Sequence, residues 1–185
     1  NKKYSYSRLI NRYKNANLPK HHIIDLNQNK LAKKTFISLK TIEKVEGHLK
    51  KGDQILFFIN RRGFAPYVLC KKCLNVFSCP NCSINLVYHK NKNQLLCHYC
   101  GFSSSLYRKC KKNNFCEFVF SGPGVEKIAE EVKSLFPNQK TIIFSSDTMN
   151  KASGKNILDK IILGEINILV GTQLISKGFH FPNLN

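Results

Sequence analysis

Apolar residues at Ile42, Val45 and Leu49 recur at the three-to-four-residue step of a helix across TIEKVEGHLK (41–50). Residues 54–59 (QILFFI) follow as a strand, and its apolar run ILFFI (55–59) is unbroken, as in a strand covered on both faces. A second helical stripe, Val125, Ile128, Ala129, Val132, Leu135 and Phe136, opens after Gly122-Pro123-Gly124 and stops at Pro137. Residues 141–144 then read as a strand, 156–163 as a helix and 167–170 as another strand. Strand and helix alternate, which is the order that builds a parallel sheet with flanking helices, so the expected fold class is α/β. The bland reading of these stripes is core packing, and it suffices for nearly all of them.

Three loops fall at the ends of the predicted strands, where open parallel sheets gather ligand-contacting groups. They are Asn60-Arg61-Arg62-Gly63, Ser145-Ser146-Asp147-Thr148 and Gly171-Thr172-Gln173. Each is weak alone, but on successive parallel strands they share one sheet edge and could line one cleft. Two patterns are missing. No G-x-x-x-x-G-K-[ST] phosphate loop occurs: before Gly154-Lys155, Met149 stands where the first glycine must be, and Asn156 follows the lysine. No D-E-x-x acidic box follows a strand. The usual nucleotide-hydrolysis site needs both a phosphate cradle and a magnesium-holding carboxylate, so this chain alone is expected to be catalytically inactive.

Between the first strand and the second helix the pattern breaks. All eight cysteines, Cys70, Cys73, Cys79, Cys82, Cys97, Cys100, Cys110 and Cys116, lie there and none elsewhere. Three tight Cys-x-x-Cys pairs without a secretory leader point to tetrahedral zinc rather than to disulfides or an iron–sulfur centre. Eight sulfurs suffice for two closed, structural sites of four cysteines each. Cys79/Cys82 and Cys97/Cys100 flank SINLVYHKNKNQLL, a short hairpin turning near 90–93, which makes a zinc ribbon and an inner site. Cys70/Cys73 would close an outer site with Cys110/Cys116, tying the ends of the insertion together. The last pair is irregular, with Asn113 where a thiol is expected, so Cys116 reaches in from a longer loop or the outer site is weakened. His89 and His98 are possible substitute ligands, though exposed or hydrogen-bonded ribbon residues are the simpler reading.

Net charge of +19 invites a polyanion partner. Part of that excess is compositional, since lysine outnumbers arginine 25 to 5 and asparagine reaches 20. Its distribution says more. Residues 54–115 contain no Asp or Glu but ten Lys and Arg, and two zinc-thiolate sites would still leave the segment near about +6. A solvated lysine-rich face is the alternative. No apolar run is long enough to span a bilayer, and nothing at the N-terminus marks secretion, so a cytoplasmic protein without membrane contact is expected. The chain also lacks an initiator Met, which fits an internal piece of a longer reading frame.

FFINRRGFAPYVLCKKC, the three regular cysteine pairs, GPGVEKIAEEV followed by LFP, and ILVGTQLISKGFHFPNL together resemble the primosomal replication-restart DNA helicases, primosomal protein N′ (PriA) type. The resemblance runs from about His21 to the end. It implies a lead-in at 1–20, most of a second RecA-like helicase lobe at 21–68 plus 117–185, and an inserted two-zinc module at 69–116. It further implies an ATP-driven, magnesium-dependent 3′-5′ DNA helicase, acting on forks and single strands in primosome assembly and restart of stalled replication. Primosome proteins and single-strand-binding protein would be its partners. Asn60, Arg61 and Arg62 match helicase motif IV, and Thr172, Gln173, Lys177 and Gly178 lie in motif V, which couples the nucleotide cleft to DNA. The first lobe and motif VI lie outside this sequence. The competing readings are a stand-alone zinc module for nucleic acid or protein, and a pure scaffold for primosome proteins.

Overall fold

The computed structural model describes residues 4–8, 19–106, 117–149 and 154–184. The irregular pair Cys110/Cys116 and most of the lead-in at 1–20 lie outside these residues.

Helix α1 (Leu39–Leu49) starts where Ser38, in extended conformation, accepts a hydrogen bond from the Thr41 N–H through its hydroxyl. This satisfies one of the donors that a helix start leaves unpaired. The helix ends at Lys50, and Gly52 turns the chain at φ 83° into strand β1 (Ile55–Phe58). Further along, helix α2 (Val125–Leu135), strand β7 (Thr141–Phe144), helix α3 (Gly154–Ile162) and strand β8 (Ile168–Gly171) follow the predicted order with ends moved by one or two residues. The three strands form a parallel sheet of order β1-β8-β7, in which Ile168 pairs with both Ile55 and Thr141.

β8 is central, and all four of its residues are buried. Its side chains alternate between two cores, as the strand period requires. Ile168 and Val170 join Val45 of α1, Ile55, and Val125, Ile128, Ala129 and Val132 of α2. Leu169 faces the other way, toward Phe144, Ile161 of α3 and Ile175. Helices therefore cover both faces, which explains the unbroken apolar strands. None of the helices among the described residues is long and apolar enough to cross a membrane.

The insertion begins and ends in a stem the apolar pattern did not reveal. Strand β2 (Tyr67–Cys70) pairs antiparallel with β6 (Phe118–Ser121), Tyr67 opposite Ser121 and Cys70 opposite Phe118. Within it, β3 (Val87–His89), β4 (Gln94–Leu96) and β5 (Ser103–Ser105) form an antiparallel meander. The β3–β4 hairpin and its turn at 90–93 match the sequence expectation. This unit has its own core of Val68, Phe77, Leu86, Tyr88 and Leu95, with Tyr88 stacked on Phe120 at 4.4 Å.

Candidate metal centre and strand-end cleft

The three regular cysteine pairs fold into one repeated knuckle. In each, the N–H four residues after the first cysteine donates to that cysteine's carbonyl: Leu74 to Cys70 at 2.8 Å, Ser83 to Cys79 at 2.9 Å, Gly101 to Cys97 at 3.0 Å. The cysteine's own N–H donates five residues ahead, to Asn75, Ile84 and Phe102 respectively. Leu74, Ser83 and Gly101 all take the left-handed conformation, at φ 56°, 58° and 77°. Glycine occupies that region freely and other residues only under constraint. In the pairs Cys79/Cys82 and Cys97/Cys100 this knuckle brings both thiols to one side.

Two of these knuckles face each other. The sulfurs of Cys79, Cys82, Cys97 and Cys100 all lie within 4.8 Å of one another. Individual contacts are 3.5 Å for Cys79–Cys100, 3.4 Å for Cys82–Cys97 and 3.8 Å for Cys82–Cys100. A disulfide would need about 2.05 Å. A tetrahedron of Zn–S bonds of about 2.3 Å has edges near 3.8 Å, so four thiolates of this spacing fit a Zn²⁺ ion. Backbone N–H groups of Cys100 and Tyr99 draw the Cys97 thiol down to about 6, whereas burial pushes Cys82 up to about 12. A divalent cation at the centre would hold all four as thiolates. Cys70 and Cys73 present the same knuckle on the β2 side.

The second arrangement lies at the ends of the parallel strands. Asn60 and Arg62 after β1, Ser146 after β7, and Thr172, Gln173, Leu174 and Lys177 after β8 line one cleft of about 140 Å³. Strand order alone brings these three loops together. Arg61 instead turns into an adjoining hollow of about 250 Å³, which Asn60 and Arg62 share, walled by Pro66, Tyr67, Ile84, Asn85, Val87 and His98. Gly178 lines neither; at φ 77° it turns the chain after the short helical turn Gln173–Ser176. Thr172 is buried, with its N–H on the Phe144 carbonyl at 3.2 Å. Thr148 shapes its loop from within, donating its hydroxyl to the Ile143 carbonyl at 2.8 Å and accepting the Ser145 N–H at 3.1 Å.

The Asn60–Gly63 loop is held by the first turn of α2. The Val125 N–H donates to Arg61 O at 2.9 Å and the Glu126 N–H to Gly63 O at 3.0 Å, pairing donors that a helix N-terminus leaves open. The approach is so close that a Cβ at Gly124 would collide with the Gly63 carbonyl. On its other side Gly63, at φ 67°, lies against β3: a Cβ there would meet Val87 Cγ1 at 2.5 Å and the Tyr88 carbonyl at 2.8 Å. The ribbon is pinned to the same helix. Glu126 accepts from His89 Nδ1 at 3.0 Å and from the Lys90 N–H at 3.0 Å, and Lys90 Nζ reaches Glu130 at 2.7 Å. His89 and His98 are thus hydrogen-bonded ribbon residues, joined through their Nε2 atoms at 2.8 Å. Burial holds His98 below the ordinary histidine range, partly offset by the charge of Asp147. Glu126 and Lys90, missed in the sequence, look like ordinary surface charges on a helix and a turn; only the docked ribbon gives them partners.

Similarity to known proteins covers both arrangements. Residues 79–104, the ribbon itself, match the family described as the PriA DNA helicase Cys-rich region domain. The chain is 42% identical over 184 residues to the replication restart protein PriA of Rickettsia felis, covering 98% of this chain and 28% of that protein. The PriA of Haemophilus influenzae is 37% identical over 185 residues, with 100% of this chain and 25% of the relative covered, and that of Bacillus subtilis 31% over 183 residues, with 98% and 23%. The chain spans about a quarter of the length of these relatives. The similarity takes in the parallel sheet, the strand-end loops and the ribbon together, and the chain belongs to the PriA replication restart family.

Proposed function

We propose that this chain is the zinc-bearing second lobe of an ATP-dependent 3′-5′ DNA helicase that acts in primosome assembly and restart of stalled replication forks. In this reading residues 21–68 and 117–185 are a RecA-like lobe and 69–116 an inserted module holding two zinc ions, the outer one on Cys70, Cys73, Cys110 and Cys116. The convergence of all three strand-end loops on one cleft carries the proposal. Arg62 and Lys177 supply cations there, and Asn60, Gln173, Ser146 and Thr172 supply amide and hydroxyl groups. Such groups grip phosphates without reading bases, as a motor that moves along a strand requires. Arg61 and Gly178 act differently, the first in the adjoining hollow and the second as the hinge of the loop that carries Lys177. ATP, Mg²⁺ and primosome partners would engage the whole protein.

The test is binding of a fluorescent oligothymidylate by the chain across a salt series. The expected result is affinity that falls steeply with salt, with a slope reduced by roughly one on replacing either Arg62 or Lys177 by Ala. Binding that survives removal of 121–185 would favour a stand-alone zinc module instead, a reading supported by the insertion's own apolar core and closed stem. Zinc content with no salt-sensitive DNA affinity would leave a protein scaffold.

A further inference from the structure

We propose that His98 is a positioning residue that aims Arg62 into the strand-end cleft, so that the metal-bound ribbon sets the geometry of that cleft; this rests on reading the cleft as a phosphate site. Four side chains form a continuous line from helix α2 through the ribbon to the loop after β1. Glu126 meets His89 Nδ1 at 3.0 Å, His89 Nε2 meets His98 Nε2 at 2.8 Å, and His98 Nδ1 lies 3.4 Å from Arg62 Nη1.

The end groups order the protons between them. Glu126 already accepts the Lys90 N–H and acts as a carboxylate acceptor, so His89 donates from Nδ1 and its Nε2 is left as an acceptor. His98 must then donate from Nε2, and its Nδ1 is left to accept. Arg62 can only donate. All three contacts along the line are satisfied in one arrangement of donors and acceptors, and reversing any member breaks the line.

A metal ion is the rival explanation, because the ligand atoms of His89, His98 and Asp147 lie within 4.8 Å of one another. Ring orientation argues against it. The ring centroids stand 4.9 Å apart across a 2.8 Å nitrogen contact, so the two nitrogens point at each other rather than toward a shared third point. The pair is also well supported: His89 is 3% exposed, and His98 sits between Cys97 and Cys100, two of the four clustered cysteines. Arg62 walls both the cleft and the adjoining hollow, so a partner on its hollow side decides how far the guanidinium extends into the cleft.

The experiment is a double-mutant cycle on the 185-residue chain, read as affinity for a fluorescent oligothymidylate at low salt, with zinc content measured for every variant. Arg62→Ala should weaken binding about tenfold and His98→Leu about threefold to tenfold. The double variant should bind no worse than Arg62→Ala alone, because the two residues act as one. His98→Asn keeps an acceptor near the Nδ1 position and should restore most of the affinity lost in His98→Leu, a rescue that a purely structural histidine would not show. Additive losses in the double variant, an unaffected His98→Leu, or a His98→Asn as weak as His98→Leu at full zinc content would each overturn the proposal. An Arg62→Ala variant that binds normally would instead overturn the reading of the cleft, and the inference with it.

Discussion

Single residues divide here by what surrounds them, more than by type. Gly101 and Gly63 both hold left-handed backbone, at φ 77° and 67°, but nothing lies within 4 Å of a Cβ at Gly101, while at Gly63 the β3 backbone does. Gly101→Ala should therefore cost only the conformational strain of about 1–2 kcal/mol. Gly63→Ala should cost more, because β3 must also withdraw. Thermal or urea unfolding of the two variants checks the order. The cysteines separate in the same way. Cys79→Ser should remove the inner ion and lower the zinc-to-protein ratio by one, read by metal analysis after dialysis. Thiolate rather than thiol is the ligand, so zinc is held at neutral pH and released as pH falls and the sulfurs protonate. The insertion should then lose protection from hydrogen exchange before the parallel sheet does. The cysteine spacing alone was enough to pick out this cluster. Leu74 and Ser83 were not legible as left-handed positions, since only the closed knuckle imposes that conformation on a residue other than glycine.

At the scale of elements, β8 and α2 carry the most. Leu169 is fully buried on the α3 side of β8, so Leu169→Ala should destabilise the fold by about 2–5 kcal/mol, through lost burial and the cavity left behind. Leu163, 73% exposed just after α3, should change it by less than about 0.5 kcal/mol when replaced by Ala. Denaturant unfolding midpoints at unchanged slope would show the contrast. Helix α2 does three tasks with different faces: Val125, Ile128 and Val132 pack on the sheet, its first N–H groups hold the Asn60–Gly63 loop, and Glu126 and Glu130 hold the ribbon. Glu126→Ala should therefore loosen the ribbon while sparing the sheet core, seen as faster hydrogen exchange at β3 with slow exchange retained in β8. The apolar stripe of α2 was readable from its period. Its other two tasks were not, because they depend on carbonyls and a histidine more than 30 residues away in the chain.

Across the whole molecule, a sheet with helices on both faces carries a cysteine-knuckled ribbon at the edge where its strands end. The stem β2–β6 returns the chain beside its point of departure, so the ribbon enters and leaves the fold without disturbing the parallel sheet. No phosphate loop occurs in the sequence, so the chain by itself should show no ATP turnover. Detectable hydrolysis in a coupled phosphate-release assay would contradict the proposed division of labour with another lobe. What the sequence determined by itself was periodic or closely spaced: the helical stripes, the unbroken strands, the three cysteine pairs and the hairpin between two of them. Each of those signals arises from interactions within a few residues along the chain. The meeting of the strand-end loops at one edge was readable from the alternation of strands and helices, whereas the separation of Arg61 from Arg62 and the line from Glu126 through His89 and His98 were decided only by the tertiary structure. They depend on which strands become neighbours and on how closely two glycines let separate segments approach, and neither leaves a local pattern in the sequence.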